Sequence, residues 1–140
     1  MTIATWPTAL PRPERTSWSL TRQDARLKLG ADAGPPRYRR RFSAVAKLVS
    51  LSIVVDRNGK AIFNRFFADT TEEGALLFYM PDPTTDGWVL YTSAGVPLLK
   101  GDGTPLLIAS RWLCAWGDQM PTETIIGVDF RISFSIAVMP

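Results

Sequence analysis

The segment Val128–Val138 constrains the fold more than any other part of the chain. Val128, Phe130, Ile132, Phe134, Ile136 and Val138 alternate without interruption against Asp129, Arg131, Ser133, Ser135 and Ala137. Side chains of an extended strand point to opposite faces in turn. Six apolar positions at period two therefore predict one long strand, with one face on a core and the other toward solvent.

Such a strand needs partners, and the rest of the chain offers short ones bounded by turn residues. Trp18 and Leu20 alternate with Ser17, Ser19 and Thr21, and Arg26–Leu29 alternates again before the breaker Asp32-Ala33-Gly34-Pro35-Pro36. From Arg37 to Val55 the pattern is β, with Val49, Leu51, Ile53 and Val55 on one side and Ser50 and Ser52 on the other. Ala75–Met80, Trp88–Thr92 and Arg111–Trp116 read as further strands. The last of these places Trp112, Cys114 and Trp116 on one face. Turns fall at Pro81–Gly87, Ser93–Gly95 and Gly101–Pro105, and no internal repeat is apparent.

One stretch departs from period two. Ile62, Phe63, Phe66 and Phe67 fall at i, i+1, i+4 and i+5, which predicts a helix over about residues 57–69 with Asp56 as its cap. Asn58-Gly59 is also a hairpin signal, so a two-stranded alternative stays open. The expected fold is mainly β: an antiparallel β-sandwich or small barrel with one helix. Residues 1–16, with Pro7, Pro11 and Pro13, read as an extended Pro-rich arm, and residues 17–140 as a single β-rich domain.

Composition narrows the chemistry. The chain has no histidine, which removes Ser-His-Asp and Cys-His catalysis, His-containing zinc sites and the usual general base near neutral pH. Its single cysteine, Cys114, lies among Trp112, Leu113, Ala115 and Trp116 and reads as a buried inert thiol. Glu72-Glu73, Asp82 and Asp86 read as corner and turn residues rather than an acid/base pair. Lys100-Gly101-Asp102-Gly103-Thr104 lacks the Gly-Lys-Ser/Thr ending of a phosphate loop and the further acidic ligands of a calcium loop. No catalytic residue, cofactor or metal is expected. The N-terminus carries prolines where a signal peptide would have its apolar region, and no apolar run reaches the length of a membrane span, so neither secretion nor membrane anchoring is expected.

Charge is unevenly distributed. Residues 1–70 hold 13 Lys/Arg against 5 Asp/Glu, whereas residues 71–140 hold 3 against 8. A two-faced surface of this kind suits contacts between subunits, where opposite patches meet. The sharpest local feature is Arg37-Tyr38-Arg39-Arg40-Arg41, with Arg37, Arg39 and Arg41 on one face of a strand and Tyr38 and Arg40 on the other. Planar guanidinium groups favour paired carboxylates of a neighbouring protein. A solvated face and a phosphate backbone are the alternatives, the last disfavoured by the nearly balanced net charge. Arg37, Arg39, Arg40 and Arg41 are therefore the candidate interface residues, together with Trp6 and Leu10 as apolar anchors on the arm.

The order of elements resembles that of small tail proteins of tailed phages and prophages, in the minor-tail and distal-tail group. The resemblance lies in the Trp6-Pro7 arm, Ala33–Pro36 leading into Arg37–Phe42, the aromatic Phe63–Phe67 segment, Glu73–Phe78, the Met80–Pro83 loop and the closing strand ending Val138-Met139-Pro140. It implies a β-rich virion subunit made in the bacterial host cytoplasm that forms a homo-oligomeric ring and bridges tube and hub subunits. Tail terminators and head-to-tail connectors have similar size and composition.

Overall fold

The computed structural model describes residues 2–140. Its strands are β1 (Ala4–Thr5), β2 (Ser19–Arg22), β3 (Arg26–Leu29), β4 (Arg37–Arg40), β5 (Lys47–Val55), β6 (Phe78–Pro81), β7 (Arg111–Trp116), β8 (Thr122–Ile126) and β9 (Asp129–Val138). A helix, α1 (Arg57–Arg65), continues into a wider π-type turn over Phe66–Thr70. The mainly β expectation with one helical segment holds. The sheets are sandwich-like and open, and no barrel closes.

The alternating segment is the centre of the main sheet. β9 pairs antiparallel with β5 along Val55↔Phe130 to Lys47↔Val138. Its other edge is shared end to end, by β8 over Asp129–Ser133 and by β7 over Ile136–Val138. Ser135 marks the junction: its carbonyl accepts from Gly117 N–H (2.8 Å) and its hydroxyl from Gln119 N–H (3.0 Å). A Cβ on Gly117 would lie 2.3 Å from Ser135 Oγ, so only glycine lets the chain pass from β7 to β8 here. β6 extends the sheet beyond β7, β2 closes the far side on β5, and β1 adds to β6 in parallel, which makes the sheet mixed rather than wholly antiparallel.

One face of the sheet is apolar. Val49, Leu51, Ile53 and Val55 lie opposite Ile136, Phe134, Ile132 and Phe130, and all but Phe130 are buried. Phe63 and Phe66 belong to the same buried cluster. The opposite face carries the Ser50↔Ser135 and Ser52↔Ser133 pairs. Val128 departs from the expectation: it is 92% exposed, because Gly127 (φ +56°) turns the chain there and the alternation runs past the end of the strand. β8 was not anticipated, since its Thr-Glu-Thr start is exposed and shows no apolar period.

The helix prevails over the hairpin at Asn58-Gly59. Asp56 Oδ1 accepts from Gly59 N–H at 2.7 Å, the expected N-cap bond. Gly59 is buried against the preceding strand, where a Cβ would lie 2.8 Å from Val55 Cβ. The glycine serves close helix–strand approach rather than a turn.

The N-terminal segment lies along the domain and contributes to its core, which the reading as an extended arm did not expect. Trp6 is 5% exposed and Leu10 7%. Trp6 meets Phe63 and Phe66 edge-on at 6.1 and 5.6 Å and lies 6.0 and 5.9 Å from Phe78 and Phe134. Its backbone N–H donates to Tyr79 C=O at 2.7 Å. Both residues are thus fillers of their own core and unavailable to a neighbouring chain.

Two excursions leave this core. The first is a two-stranded ribbon: β3 pairs only with β4, Arg41 N–H to Ala25 C=O (2.6 Å) closes its base, and Gln23 N–H to Ala46 C=O (3.0 Å) ends the adjoining β2–β5 pair. The second, residues 87–110 between β6 and β7, contains a repeat of eight residues that the sequence reading did not find. Leu90 N–H donates to Leu106 C=O, Leu98 N–H to Leu90 C=O and Leu106 N–H to Leu98 C=O, each at 2.9 Å. Moving each bond by eight residues gives the next, and the third returns to the first. The same cycle links Thr92 to Val96, Lys100 to Thr104 and Ile108 to Trp88 at 2.8, 2.7 and 2.7 Å. Gly87, Gly95 and Gly103 recur at this spacing with φ of +84°, +80° and +88°, conformations that disfavour any other residue. The excursion is a closed, pseudo-threefold knot of backbone hydrogen bonds.

Neither excursion supplies any of the buried apolar residues of the core. Among the described residues no helix is long and apolar enough to cross a membrane. Since four aromatic rings meet on Trp6, Trp6→Ala is expected to lose about 3–5 kcal/mol of stability in urea denaturation, with Trp6→Phe losing distinctly less. A loss under about 1 kcal/mol for the alanine variant would show that the N-terminal segment is not part of the folded core.

Candidate interaction surfaces

The arginine cluster lies on the exposed ribbon. Arg37, Arg39 and Arg40 belong to β4 and Arg41 follows it, all four exposed and none within ion-pair distance of a carboxylate among the described residues. The register sorts the faces. Arg40 lies opposite Arg26 and Tyr38 opposite Lys28 on one side, while Arg39 lies opposite Leu27 and Arg37 opposite Leu29 on the other. The Arg26 guanidinium stacks 4.3 Å over the Tyr38 ring and bonds Asp24 at 3.0 Å, which holds the Asp24 carboxyl below its ordinary range. The ribbon thus offers a basic–aromatic face and a basic–aliphatic face. Residues 23–46 hold Arg26, Lys28, Arg37, Arg39, Arg40 and Arg41 against Asp24 and Asp32, so the ribbon excursion carries half of the positive excess of the first half. Half of the charge asymmetry read from the sequence is therefore gathered on this projection.

The pseudo-threefold knot is the second surface, and it is apolar. Tyr91, Leu99 and Leu107, equivalent under the eight-residue shift, are 57%, 59% and 58% exposed. Trp88 and Val96, also equivalent, are 59% and 58% exposed. The knot is tied to the sheet through Asp82 and Asp86. Asp82 N–H donates to Ser110 C=O at 3.0 Å, Asp82 Oδ1 accepts from Thr84, and Asp86 Oδ1 accepts from Ser110 N–H at 2.9 Å. Arg12 donates to the Pro83 and Asp86 carbonyls, so the N-terminal segment braces this neck. The turn assignments of Asp82 and Asp86 hold, and the signal missed in the sequence was the recurrence of Gly and Leu at spacing eight.

A third polar cluster fastens the N-terminal segment. Arg131 grips Glu14 with Nε at 2.8 Å and Nη2 at 3.1 Å, and the Ser52 hydroxyl, which also meets Ser17, donates to the same carboxylate. The Arg131 bonds, then the Ser52 bond, hold Glu14 below its ordinary carboxylate range. These contacts are all internal. They position the chain between the sheet edge and the neck.

Other chemistry finds little to work with. Among the described residues no three His, Cys, Asp or Glu side chains gather as a metal site would need. Asp102 is a turn residue whose Oδ1 accepts from Thr104 N–H and Oγ at 3.0 and 2.7 Å, as the hairpin reading requires. Cys114 is fully buried within β7, and burial pushes its thiol up to about 12. An open groove of about 380 Å³ lies between the N-terminal segment and the neck, lined by Trp6, Leu10, Arg12, Met80 and Asp86, with Arg12 already committed to backbone carbonyls.

No family model, curated protein or solved structure matches the chain.

Two expectations follow from these environments. Because the folded-state carboxyl of Glu14 is depressed, its stabilising effect is complete well above the ordinary value of 4.5 and is lost as pH falls through the lower folded value. Glu14→Gln should therefore flatten the fall in melting temperature as pH drops from about 4.5 through that lower value; an unchanged acid limb would show the Arg131 clasp is not formed in solution. Cys114 should stay unmodified by a thiol reagent at pH 8 in the native protein and react at the rate of global unfolding.

Proposed function

We propose that this protein is a non-enzymatic structural subunit of a phage tail, acting in a distal tail or tail-tip ring or as an adaptor between tube and hub subunits. The supporting observation is the division of the chain. One sheet, with the helical segment and the N-terminal segment packed on it, carries the whole buried core, and two 24-residue excursions, 23–46 and 87–110, present charged and apolar surface outward. A chain that commits this much of its length to projections holding no core residue is organised for contact with other macromolecules. The resemblance of the sequence's element order to that of small tail proteins supports the tail as the setting and the virion as the location.

In this reading the basic ribbon reaches a neighbouring subunit. Unpaired, exposed guanidinium groups are suited to bidentate bonds with carboxylates, and the acidic second half of an adjacent copy offers them. Contacts repeated around a ring add multivalently, so each one need only be modest. A tail terminator or head-to-tail connector would use the same surfaces. The competing reading is nucleic acid, since a two-stranded ribbon with basic side chains fits a major groove.

One variant separates these. Arg37→Glu, Arg39→Glu, Arg40→Glu and Arg41→Glu combined should leave thermal stability nearly unchanged, because all four are exposed. The same variant should abolish ring assembly seen by mass photometry or negative-stain microscopy, alone or with tube and hub subunits. Filter binding of DNA by the wild type across a salt series should be weak and nonspecific. Tight binding with a steep salt slope, lost in the variant, would favour the nucleic-acid reading instead.

A further inference from the structure

The pseudo-threefold knot gathers a large share of the exposed apolar side chains of the protein. Among the described residues, seven of the sixteen exposed large hydrophobic side chains fall within 88–107. Together they expose on the order of 600 Å², at the upper end of the largest apolar patch on a typical monomer. None of this surface is needed to hold the knot closed, since its closure is made by the backbone cycle.

We propose that the knot is a self-association surface, which pairs face to face with the knot of a second copy across a twofold axis. Three observations favour a copy of this chain over another occupant. An isologous contact requires a self-complementary patch, and apolar rings of equal exposure satisfy this when they oppose each other. The only charges within 87–110 are Lys100 and Asp102, one of each sign on a single turn, both exposed and neither in an ion pair among the described residues. A twofold operation sets Lys100 against the Asp102 of the second copy and Asp102 against its Lys100. Asp102 Oδ1 is held by Thr104, and among the described residues Oδ2 takes no hydrogen bond, so it can pair with a second copy without breaking the turn. Finally, about 600 Å² from each copy sums to roughly 1,200 Å², which reaches the lower bound of specific interfaces.

The threefold character of the knot has a further consequence. Tyr91, Leu99 and Leu107 recur around one axis, so the apolar side chains alone admit three similar registers, and the reciprocal Lys100–Asp102 pairs select the one in which the two charged turns meet. This pairing does not rest on the tail reading and uses none of the ribbon arginines.

The test is sedimentation velocity of the full chain over a concentration series into the high micromolar range. The wild type should show a reversible monomer–dimer equilibrium. Leu99→Glu/Leu107→Glu should weaken it roughly tenfold or more, because a carboxylate would be buried without a partner. The arginine-to-glutamate ribbon variant should dimerise as the wild type does. A second measurement stands if the glutamate variant fails to fold by circular dichroism. Zero-length carbodiimide cross-linking of mixed light- and heavy-isotope-labelled wild-type chains should yield heavy–light Lys100–Asp102 links. A wild type monomeric throughout the series, a folded double-glutamate variant that dimerises equally well, or the absence of heavy–light links at that turn would each overturn the proposal. Loss of dimerisation in the ribbon variant alone would assign self-association to the ribbon instead.

Discussion

The two-sided pairing of β9 is the constraint from which the rest of the architecture follows. A central strand must satisfy backbone N–H and C=O groups along both edges, and β9 does so with β5 on one side and with β7 and β8 in succession on the other. Sharing one edge between two strands demands a tight crossover at Ser135, which the backbone of Gly117 alone can make. The same pairing aligns Phe134 and Ile136 with Leu51 and Val49, and so creates the apolar face that α1 and Trp6 cover. Removing any of these conditions exposes the others.

The core is aromatic and economical. Trp116 packs on Phe67, Phe78 and Phe134 at 4.9–5.3 Å, while its indole N–H reaches Thr71 Oγ1 at 3.0 Å. Thr71 in turn bonds Phe67 C=O, so the buried polar group at the end of the helical segment is satisfied. Large rings bury much area per residue ordered, which lets one sheet, one short helix and an N-terminal strap support two long excursions. The excursions are stabilised differently from the core and from each other. The ribbon relies on its ladder and on the Arg26–Tyr38 and Arg26–Asp24 contacts, whereas the knot closes its backbone hydrogen bonds on itself. Such closure leaves apolar side chains free to face outward, and this separation of structural from contacting groups underlies the functional readings above.

Much of the fold was legible because its signals are local. Period two in 130–138 and 49–55, the i, i+1, i+4, i+5 spacing of Ile62–Phe67 and the cap at Asp56 are each written within a dozen residues. The arginine cluster and its exposure were legible for the same reason. Other features carried no local sign. β8 is exposed and polar, Val128 continues an alternation that the chain has already left, and the knot's repeat survives only in Gly87/Gly95/Gly103 and Leu90/Leu98/Leu106 among otherwise unlike residues.

What the sequence determined by itself is the set of faces: which strand has an apolar side, where the helix starts, and that no histidine is available to any site. What only the tertiary structure decided is what those faces meet. Trp6 on a proline-rich segment reads as an anchor for a neighbour, and its burial among Phe63, Phe66, Phe78 and Phe134 depends on residues far apart in the chain. The knot likewise exists only when its three segments close a cycle. Periodicity reports the direction a side chain points relative to its neighbours in the chain, and burial is fixed by contacts between distant segments, which no local pattern encodes.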